Sequence, residues 1–582
     1  TYITDFQGSF QVEIGRNHAR YFDKHGWRYF TREVFDLLYP SYGDTYPIFN
    51  GAIGMTYEQG GHSRAGRAII MENGDTLTLA DRVQHHMTTA LSTVEVASRE
   101  ADRLTKAFAD YFAKAQQNPP GRWKTFVVKA DNPPAKLARL TALLDRHRIR
   151  YGTASAKKKL QGYDYATGTE REVVVEPGDL VVSAWQPKGI LTQVLFEPEP
   201  ELVDSLTYDI TAWALPYAHG LRALALEQKV EARPGFEVPA APRHTLDHTY
   251  AWLVPWHSLE SAQVLAALLR HDIRVRFAEK AFTIDGRRWD AGTLAIMRAD
   301  NEDNGRLEAL VAEVAARFPT TEVVPVASGM VEEGSDFGSA TWHLVRKPRI
   351  ALVGGEGTWA NAFGHAWYVF EQDLEYPVTV IEAEDLGRID LNEYNLIVLP
   401  DGFYRLGDKE LQTLQQWLYR GGRLIALGRA NDAFAGKGGF GLQRADEQQD
   451  EQDKEARRTA RFEDRIRDAV SESIPGAVYR LHLDNSHPLG FGMPEYYFSL
   501  KTTDSRYKML DKGWNVGYIG DDPQTVGFVG WRLRQKMQNT LVCGVEDKGR
   551  GAVIYLIDNP LFRAFWEQGK LLFSNAVFFA GQ

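Results

Sequence analysis

Apolar positions follow helical and then strand spacing along the first 115 residues. Residues 17–30 and 79–116 carry apolar side chains at three- and four-residue intervals, which predicts helices. Between them, residues 52–57 form a short apolar run with glycines on both sides, which predicts a strand. Glu58 follows this run directly. In an α/β sheet, an acidic residue at the carboxyl end of a strand is a candidate for chemistry, with a solvated strand end as the alternative.

The middle of the chain repeats itself. Residues 125–151 match residues 249–275 at a constant offset of 124 positions. Each copy has the pattern of a strand, a turn, an amphipathic helix and a second strand, and a further strand opened by a glycine follows. Two copies of one β-α-β unit predict a duplicated α/β module, which indicates a scaffold rather than a catalyst. The Pro-containing residues 116–122 predict a linker before the first copy.

From Arg349 onward, continuous apolar strands alternate with helices. Strands are predicted at residues 378–382 and 394–400, and a helix is predicted at residues 408–419. This alternation favours a parallel, doubly wound sheet, so the fold class predicted for the whole chain is multidomain α/β. The glycine-rich turn after residue 352 lacks the spacing of a dinucleotide-binding fingerprint. A charged stretch at residues 446–468, acidic first and basic later, predicts a solvated helix, with a partner-binding helix as the alternative.

Composition and charge limit the function classes. A hydrophobic content of 44% in 582 residues is enough for several buried cores. The net charge of −10 and the pI of about 5.9 argue against a nucleic-acid or anionic-membrane partner. No apolar run approaches the roughly 18 residues of a membrane span. Cys543 is the single cysteine, so an internal disulfide and a Cys-rich metal site are excluded.

Residues 39–61 carry a resemblance to a known family. The segments Y-P-S-Y-G-D-T-Y and G-A-I-G-M-T-Y-E-Q-G-G resemble the end of the catalytic domain of the zinc metallocarboxypeptidases, the carboxypeptidase A-like family. In that family an Asp in a substrate-pocket loop precedes the catalytic Glu by 14 positions, as Asp44 precedes Glu58 here. The resemblance implies hydrolysis of C-terminal peptide bonds, with Glu58 as the general base that activates a zinc-bound water. It also implies that Tyr39 or Tyr42 covers the substrate.

The same resemblance implies a peptide substrate, a zinc cofactor and a periplasmic or secreted location. His62 is expected at the pocket rim, and the uncharged Gly43 beside Asp44 predicts no strong preference for Lys or Arg side chains. The family binds zinc through a His-x-x-Glu pair and a later His, and residues 1–57 do not contain that motif. The one His-x-x-Glu in the chain, His257 to Glu260, lies at a predicted helix start with Ser258 as its N-cap. Zinc ligands are therefore not identified.

The region from Arg349 onward resembles a class I glutamine amidotransferase-like domain, closing with G-A-V-I-Y and N-P-L-F-R. The nucleophile of that family is a Cys on the turn after the G-G-x-L-I-x-x-G strand. Here residues 428–431 form that turn without a thiol, and Cys543 lies in an apolar strand. Amide hydrolysis has no first step without a thiolate, so the resemblance implies a fold without that activity.

These resemblances predict three domains. Residues 1–115 are the C-terminal portion of a carboxypeptidase-like catalytic domain, 116–345 are the duplicated module, and 346–582 are the amidotransferase-like domain. The leading hypothesis is a zinc metallocarboxypeptidase. The alternative is a non-catalytic binding or scaffold protein built on the same folds.

Overall fold

The computed structural model describes residues 2–33, 36–60, 66–202, 207, 209–242, 248–445 and 458–582. The protein has a multidomain α/β fold, as the sequence predicts. The helices are α1 Asp5–His25, α2 Thr45–Ile48, α3 Leu79–Arg99, α4 Ala101–Gln117, α5 Pro134–Arg146, α6 Gly189–Phe196, α7 Leu215–His219, α8 Leu259–Arg270, α9 Leu307–Arg317, α10 Ala360–Tyr368, α11 Asp408–Tyr419, α12 Arg465–Ser471, α13 Trp531–Lys536 and α14 Glu567–Phe578.

The strands form three large sheets and two small hairpins. They are β1 Ala68–Ile70, β2 Thr76–Thr78, β3 Thr125–Val128, β4 Tyr151–Ala154, β5 Lys158–Asp164, β6 Thr169–Val175, β7 Leu180–Ser183, β8 Ala223–Leu226, β9 Ala232–Pro234, β10 Ala251–Val254, β11 Arg276–Ala278, β12 Phe282–Ile284, β13 Arg287–Trp289, β14 Leu294–Met297, β15 Val324–Val326, β16 Trp342–Leu344, β17 Ile350–Gly354, β18 Val378–Glu382, β19 Leu396–Leu399, β20 Arg423–Leu427, β21 Ala477–Leu483, β22 Tyr496–Lys501, β23 Trp514–Ile519, β24 Thr525–Val526, β25 Thr540–Lys548 and β26 Gly551–Leu556.

The amino-terminal region is built mainly from helices. Thr4 caps α1 in a capping box with Gln7, and the helix ends at His25 because Gly26 adopts a left-handed conformation with φ 66°. The predicted helix over residues 17–30 therefore begins and ends too late. The single helix predicted over residues 79–116 is also wrong, because the chain turns at Glu100 (φ −104°, ψ 22°) and divides it into α3 and α4.

The strand predicted at residues 52–57 is absent from the structure, where these residues form a loop between α2 and β1. The apolar side chains cover helices instead of joining a sheet. Ile53 and Met55 pack against the cluster that Phe10 and Val96 form between α1 and α3. Glu58 therefore lies at the end of a loop and not at the carboxyl end of a strand.

The duplicated module is confirmed by its sheet topology. In the first copy α5 connects β3 to β4, and β7 lies antiparallel between these two strands. In the second copy α8 connects β10 to β11, and β14 takes the same place. The two sheets have the orders β6-β5-β8-β3-β7-β4-β9 and β15-β10-β14-β11-β16. Because β7 lies between β3 and β4, and β14 lies between β10 and β11, neighbouring strands are antiparallel in both sheets. Each β-α-β connection therefore crosses one strand.

The carboxyl-terminal sheet has the order β18-β17-β19-β20-β26-β25-β23-β21-β22, with β24 beside β21. Its first five strands are parallel, as predicted, but its other neighbours pair antiparallel, so the sheet is mixed. The chain runs from β17 outward to β18 and then returns to β19 on the other side of β17. Because the strand order reverses there, the loops after β17 and β19 border a topological switch point.

Two predictions involve residues outside the described ranges: His62, and residues 446–457 of the charged stretch. The following residues 465–471 form the helix α12. Among the described helices, none has the length and apolar character needed to span a membrane. The division into domains at residues 115 and 345 stays a prediction.

Candidate functional site

A pocket of about 610 Å³ lies where the amino-terminal loop, the duplicated module and the carboxyl-terminal helix α14 meet. Three of the residues predicted to bind substrate, Tyr39, Tyr42 and Gly43, line one wall. The pocket is lined by Tyr39, Pro40, Ser41, Tyr42, Gly43, Tyr46, Arg139, Ala142, Leu143, Arg146, His147, Leu195, Trp213, Leu215, His219, Tyr368, Ala564, Phe565, Glu567 and Lys570. The loop that carries the sequence resemblance therefore forms part of the pocket wall, while its role in substrate binding stays a prediction.

An arginine from the far end of the chain holds this loop in place. Arg563 donates to both carboxylate oxygens of Asp209 at 3.1 and 3.0 Å and to the Tyr42 hydroxyl at 3.2 Å. The Tyr42 hydroxyl in turn donates to Asp209. The Arg563 guanidinium also lies over the Tyr39 ring, 4.7 Å from its centroid. A cation over a tyrosine face, fixed by a carboxylate, gives the loop one defined position.

The backbone at this arginine is strained. Arg563 and Ala564 have φ values of 50° and 54°, in the left-handed region that side chains disfavour. Each such residue costs about 1–3 kcal/mol, and such strain clusters at functional sites. Ala564, the second residue of this strained pair, lines the pocket.

Four charged side chains form a largely buried cluster, and three of them, Arg139, Glu567 and Lys570, line another part of the pocket wall. Lys570 of α14 lies 2.9 Å from Asp373 and 2.8 Å from Glu567. Arg139 of α5 lies 2.9 Å from Asp373 and 2.6 Å from Glu567, so two cations face two carboxylates. Burial alone raises the pKa of Glu567, but the Arg139 and Lys570 charges outweigh burial and hold that pKa below its usual range. Glu567 is thus ionised at neutral pH, and the cluster links α5 to the carboxyl-terminal region.

His219 adds a neutral polar group to the same wall. It is the last residue of α7, it is buried, and its Nδ1 atom has no hydrogen-bond partner among the described residues. Burial lowers the pKa of His219 to about 4, and the Arg139, Lys570 and Lys136 charges act in the same direction against an opposing effect of Glu567. At neutral pH the ring is uncharged and contributes an unused polar atom to the pocket region.

The His219 pKa predicts an acid-sensitive stability. Because the unfolded chain binds the proton more tightly, the His219 contribution is fully present above pH 6.5 and is lost as the pH falls toward 4. We expect His219→Gln to reduce the pH 7 to pH 4.5 loss in unfolding free energy by about 2–3 kcal/mol. Urea unfolding at both pH values measures this, with the exposed His86 as a matched His→Gln control. An equal loss in wild type and His219→Gln would show that His219 does not titrate on unfolding.

Asp44 and Glu58, which were also selected from the sequence, do not line the pocket. Asp44 precedes α2 and accepts a hydrogen bond from the Thr56 hydroxyl, so its side chain is directed at the Glu58 segment and is not among those lining the pocket. Glu58 is exposed and also does not line it. The Asp44–Thr56 bond nevertheless ties the segment that carries Glu58 to the loop that carries Gly43.

The described residues do not fit the zinc site that the resemblance implies. A catalytic zinc takes three protein ligands, and no described group of three His, Cys, Asp or Glu side chains is arranged to hold a metal. The candidate metal ligands near the Glu58 segment take part in hydrogen bonds, although the buried Nε2 atom of His18 has no partner among the described residues. His85 bonds Gln59 at 2.8 Å, His18 bonds Ser92 at 2.9 Å, and Glu95 accepts from Arg20 at 2.9 Å.

Two further motifs from the sequence have structural surroundings. Glu260 accepts hydrogen bonds from Thr320 and Thr321, while Ser258 caps α8 as predicted. Burial lowers the pKa of His257 to about 4. In the carboxyl-terminal sheet, Cys543 is buried on β25 and burial raises its pKa to about 12, so the thiol stays protonated.

Sequence reasoning missed the charged wall of the pocket. Arg139, Glu567 and Lys570 belong to no motif, and more than 400 positions separate the first from the other two. Arg563 ends the segment N-P-L-F-R, which is part of the amidotransferase resemblance. Nothing in that segment indicates that Arg563 contacts Tyr42. The two charged residues of α14, Glu567 and Lys570, do not by themselves indicate that this part of the helix is buried.

Comparisons with known proteins add little to this geometry. No protein-family model matches the chain, and no curated protein matches it. Solved structures with some likeness include a glutamine amidotransferase from Thermotoga maritima (TM-score 0.26, 9% identity, 39% of this chain and 97% of that one). A ThuA-like protein from Parabacteroides merdae gives TM-score 0.25 and 14% identity over 38% of this chain and 88% of that one. At TM-scores this low, these likenesses carry no argument about function.

Proposed function

We propose that the protein is a carboxypeptidase-type peptidase, in which the pocket binds the C-terminal end of a peptide and Glu58 serves as the general base. The observation that carries the proposal is the place of residues 39–43. The loop that resembles the family's substrate loop forms a wall of the pocket, and it is bonded to the segment that ends in Glu58.

The pocket offers groups that suit the end of a peptide. Trp213, Leu195 and Phe565 provide apolar surface for a side chain. Arg146 is an exposed cation at the rim, suited to a terminal carboxylate. Arg139 is already paired with two carboxylates, which leaves Arg146 as the better candidate for this contact.

The proposed role of Glu58 is proton transfer. Its carboxylate accepts a proton from the water that attacks the peptide carbonyl, and it returns that proton to the leaving amine as the C–N bond breaks. An exposed carboxylate on a loop is accessible to a bound peptide. Because the described residues do not assemble a zinc site, the zinc that the resemblance implies is assigned no ligands here.

Peptide binding tests the pocket directly. We expect Arg146→Gln to weaken binding of benzoyl-Gly-Phe about fivefold, the loss of one solvent-exposed ion pair. Binding of the amidated peptide should not change, because it lacks the carboxylate. Isothermal titration calorimetry measures both, with Arg306→Gln on the remote start of α9 as the matched control. Equal affinities of wild type and Arg146→Gln for the acid would remove Arg146 from the site.

A specific observation favours the second candidate, a non-catalytic binding protein. Glu58 lies outside the pocket wall, and the described residues do not provide a zinc site. In that case the same peptide binds, but chromatography detects no released phenylalanine, with or without added zinc. Release of phenylalanine that depends on Glu58 would instead support the peptidase.

A further inference from the structure

Three loops meet at the carboxyl edge of the parallel strands, far along the chain from the pocket residues 39–43. They follow β17, β19 and β20, and each contributes one large side chain: Trp359, Phe403 and Arg429. The Trp359 and Phe403 rings meet edge to face with centroids 5.3 Å apart. The Arg429 guanidinium lies 5.7 Å from the Trp359 ring and 5.2 Å from the Phe403 ring. We call these three side chains the aromatic–arginine cluster.

Hydrogen bonds to the buried Asp401 fix the cluster. The Arg429 backbone N–H donates to the Asp401 carboxylate at 2.8 Å, and the Trp359 N–H donates to the Asp401 carbonyl at 3.1 Å. Gly428, with φ 56°, lies so close to Asp401 that a Cβ atom there would approach the carboxyl carbon to 2.4 Å. Asp401 thus aligns the loop that carries Trp359 with the loop that carries Arg429. Only glycine fits at position 428 beside the Asp401 carboxylate.

The rings are exposed although their supports are buried. Trp359 and Phe403 are 40% and 52% exposed, whereas Asp401 is 6% exposed. Two neighbouring exposed aromatic rings, fixed by hydrogen bonds to a buried carboxylate, are a candidate contact surface. Its position adds a second, independent argument, since open α/β sheets bind ligands outside the carboxyl ends of the strands at the switch point beside β17.

The charge at this place selects the kind of ligand. Among the described residues, Arg429 pairs with one carboxylate, that of Asp504 at a long 3.9 Å, and the Asp504 side chain is 64% exposed. An anion with two oxygens can engage the guanidinium fork more closely than this carboxylate does. The helix α10 begins directly after Trp359, and the partial positive charge of its amino end acts in the same direction.

We propose that the aromatic–arginine cluster is a binding site for a small ligand that joins a flat ring to an anionic group, a phosphate or a carboxylate. The ring lies against Trp359 and Phe403, and the anion pairs with Arg429. This site is separate from the pocket of the proposed peptidase and does not depend on it. It requires no thiol, which agrees with the inert surroundings of Cys543.

Titration calorimetry with phenyl phosphate tests the site on the full chain. We expect Arg429→Gln to weaken binding about tenfold or more, since it removes charge-assisted hydrogen bonds. Arg429→Lys should recover only part of that loss, because it keeps the charge without the fork. Trp359→Ala should weaken binding about fivefold through the lost ring contact. Phenyl phosphate should bind more tightly than inorganic phosphate, because only phenyl phosphate has a ring. Binding of benzoate shows whether a carboxylate can take the place of the phosphate beside Arg429.

The chain offers a matched control. Trp531 is also an exposed tryptophan beside an arginine, Arg532, at 5.2 Å, but it lies on α13 and not at the switch point. Trp531→Ala should leave phenyl phosphate binding unchanged. Circular dichroism establishes that each variant is folded. No binding at millimolar phenyl phosphate, or equal affinity in wild type and Arg429→Gln, would overturn the proposal.

Discussion

Glu58→Gln is expected to lower kcat for release of a C-terminal residue by about 10²–10⁴, the usual contribution of a general base. The amide has nearly the same shape as the carboxylate, but it cannot accept the proton of the attacking water. Glu58 is exposed on a loop, so the fold should not change. The KM and the affinity for benzoyl-Gly-Phe should stay close to wild type, because Glu58 does not line the pocket.

The matched control is Glu72→Gln, an exposed glutamate between β1 and β2 in the same region. Its kcat should equal that of wild type. Both variants are assayed by chromatography of released phenylalanine, with zinc in the buffer. A Glu58→Gln variant with wild-type kcat would exclude Glu58 as the base. A wild-type protein that binds the peptide and releases nothing would favour the binding protein instead.

The carboxyl-terminal strands could be predicted because the apolar run that forms each strand is visible in its own local sequence. The strand β19, predicted at residues 394–400, and the helix α11 were both located closely, since a strand buried on both faces reads as a continuous apolar run. Residues 52–57 have the same appearance for a different reason. Their apolar side chains cover α1 and α3, and these helices lie tens of positions away. The local pattern shows that a segment packs against apolar neighbours, but not which elements those neighbours belong to.

The two halves of the pocket differ in the same way. Tyr39, Tyr42 and Gly43 were found because they stand together in one segment with a recognisable order. Arg139 and Lys570 were not, because a single cation on a helix has the same sequence pattern whether it is solvated or paired. Their meeting depends on how α5 and α14 pack, which is a property of the tertiary structure.

Lys570→Met is expected to destabilise the protein by about 3–5 kcal/mol, the cost of breaking a buried ion pair by removing one partner. The Lys570 side chain is only 2% exposed and lies within 2.9 Å of both Asp373 and Glu567. Without it, Arg139 alone faces two buried carboxylates, so one negative charge remains uncompensated. The midpoint of urea unfolding, followed by tryptophan fluorescence, measures the change.

A second substitution separates charge from packing in this cluster. The double variant Lys570→Met with Glu567→Gln leaves one cation, Arg139, and one carboxylate, Asp373, so the buried charge is again balanced. We expect it to recover more than about 1 kcal/mol of the loss, since removing both partners of a buried pair costs less than removing one. Lys409→Met, at an exposed position on α11, should change stability by less than about 0.5 kcal/mol. If the double variant were no more stable than Lys570→Met, lost packing and not the unbalanced charge would be the cause. The result decides whether the charged wall of the pocket tolerates the removal of one group at a time, or only of an ion pair as a unit.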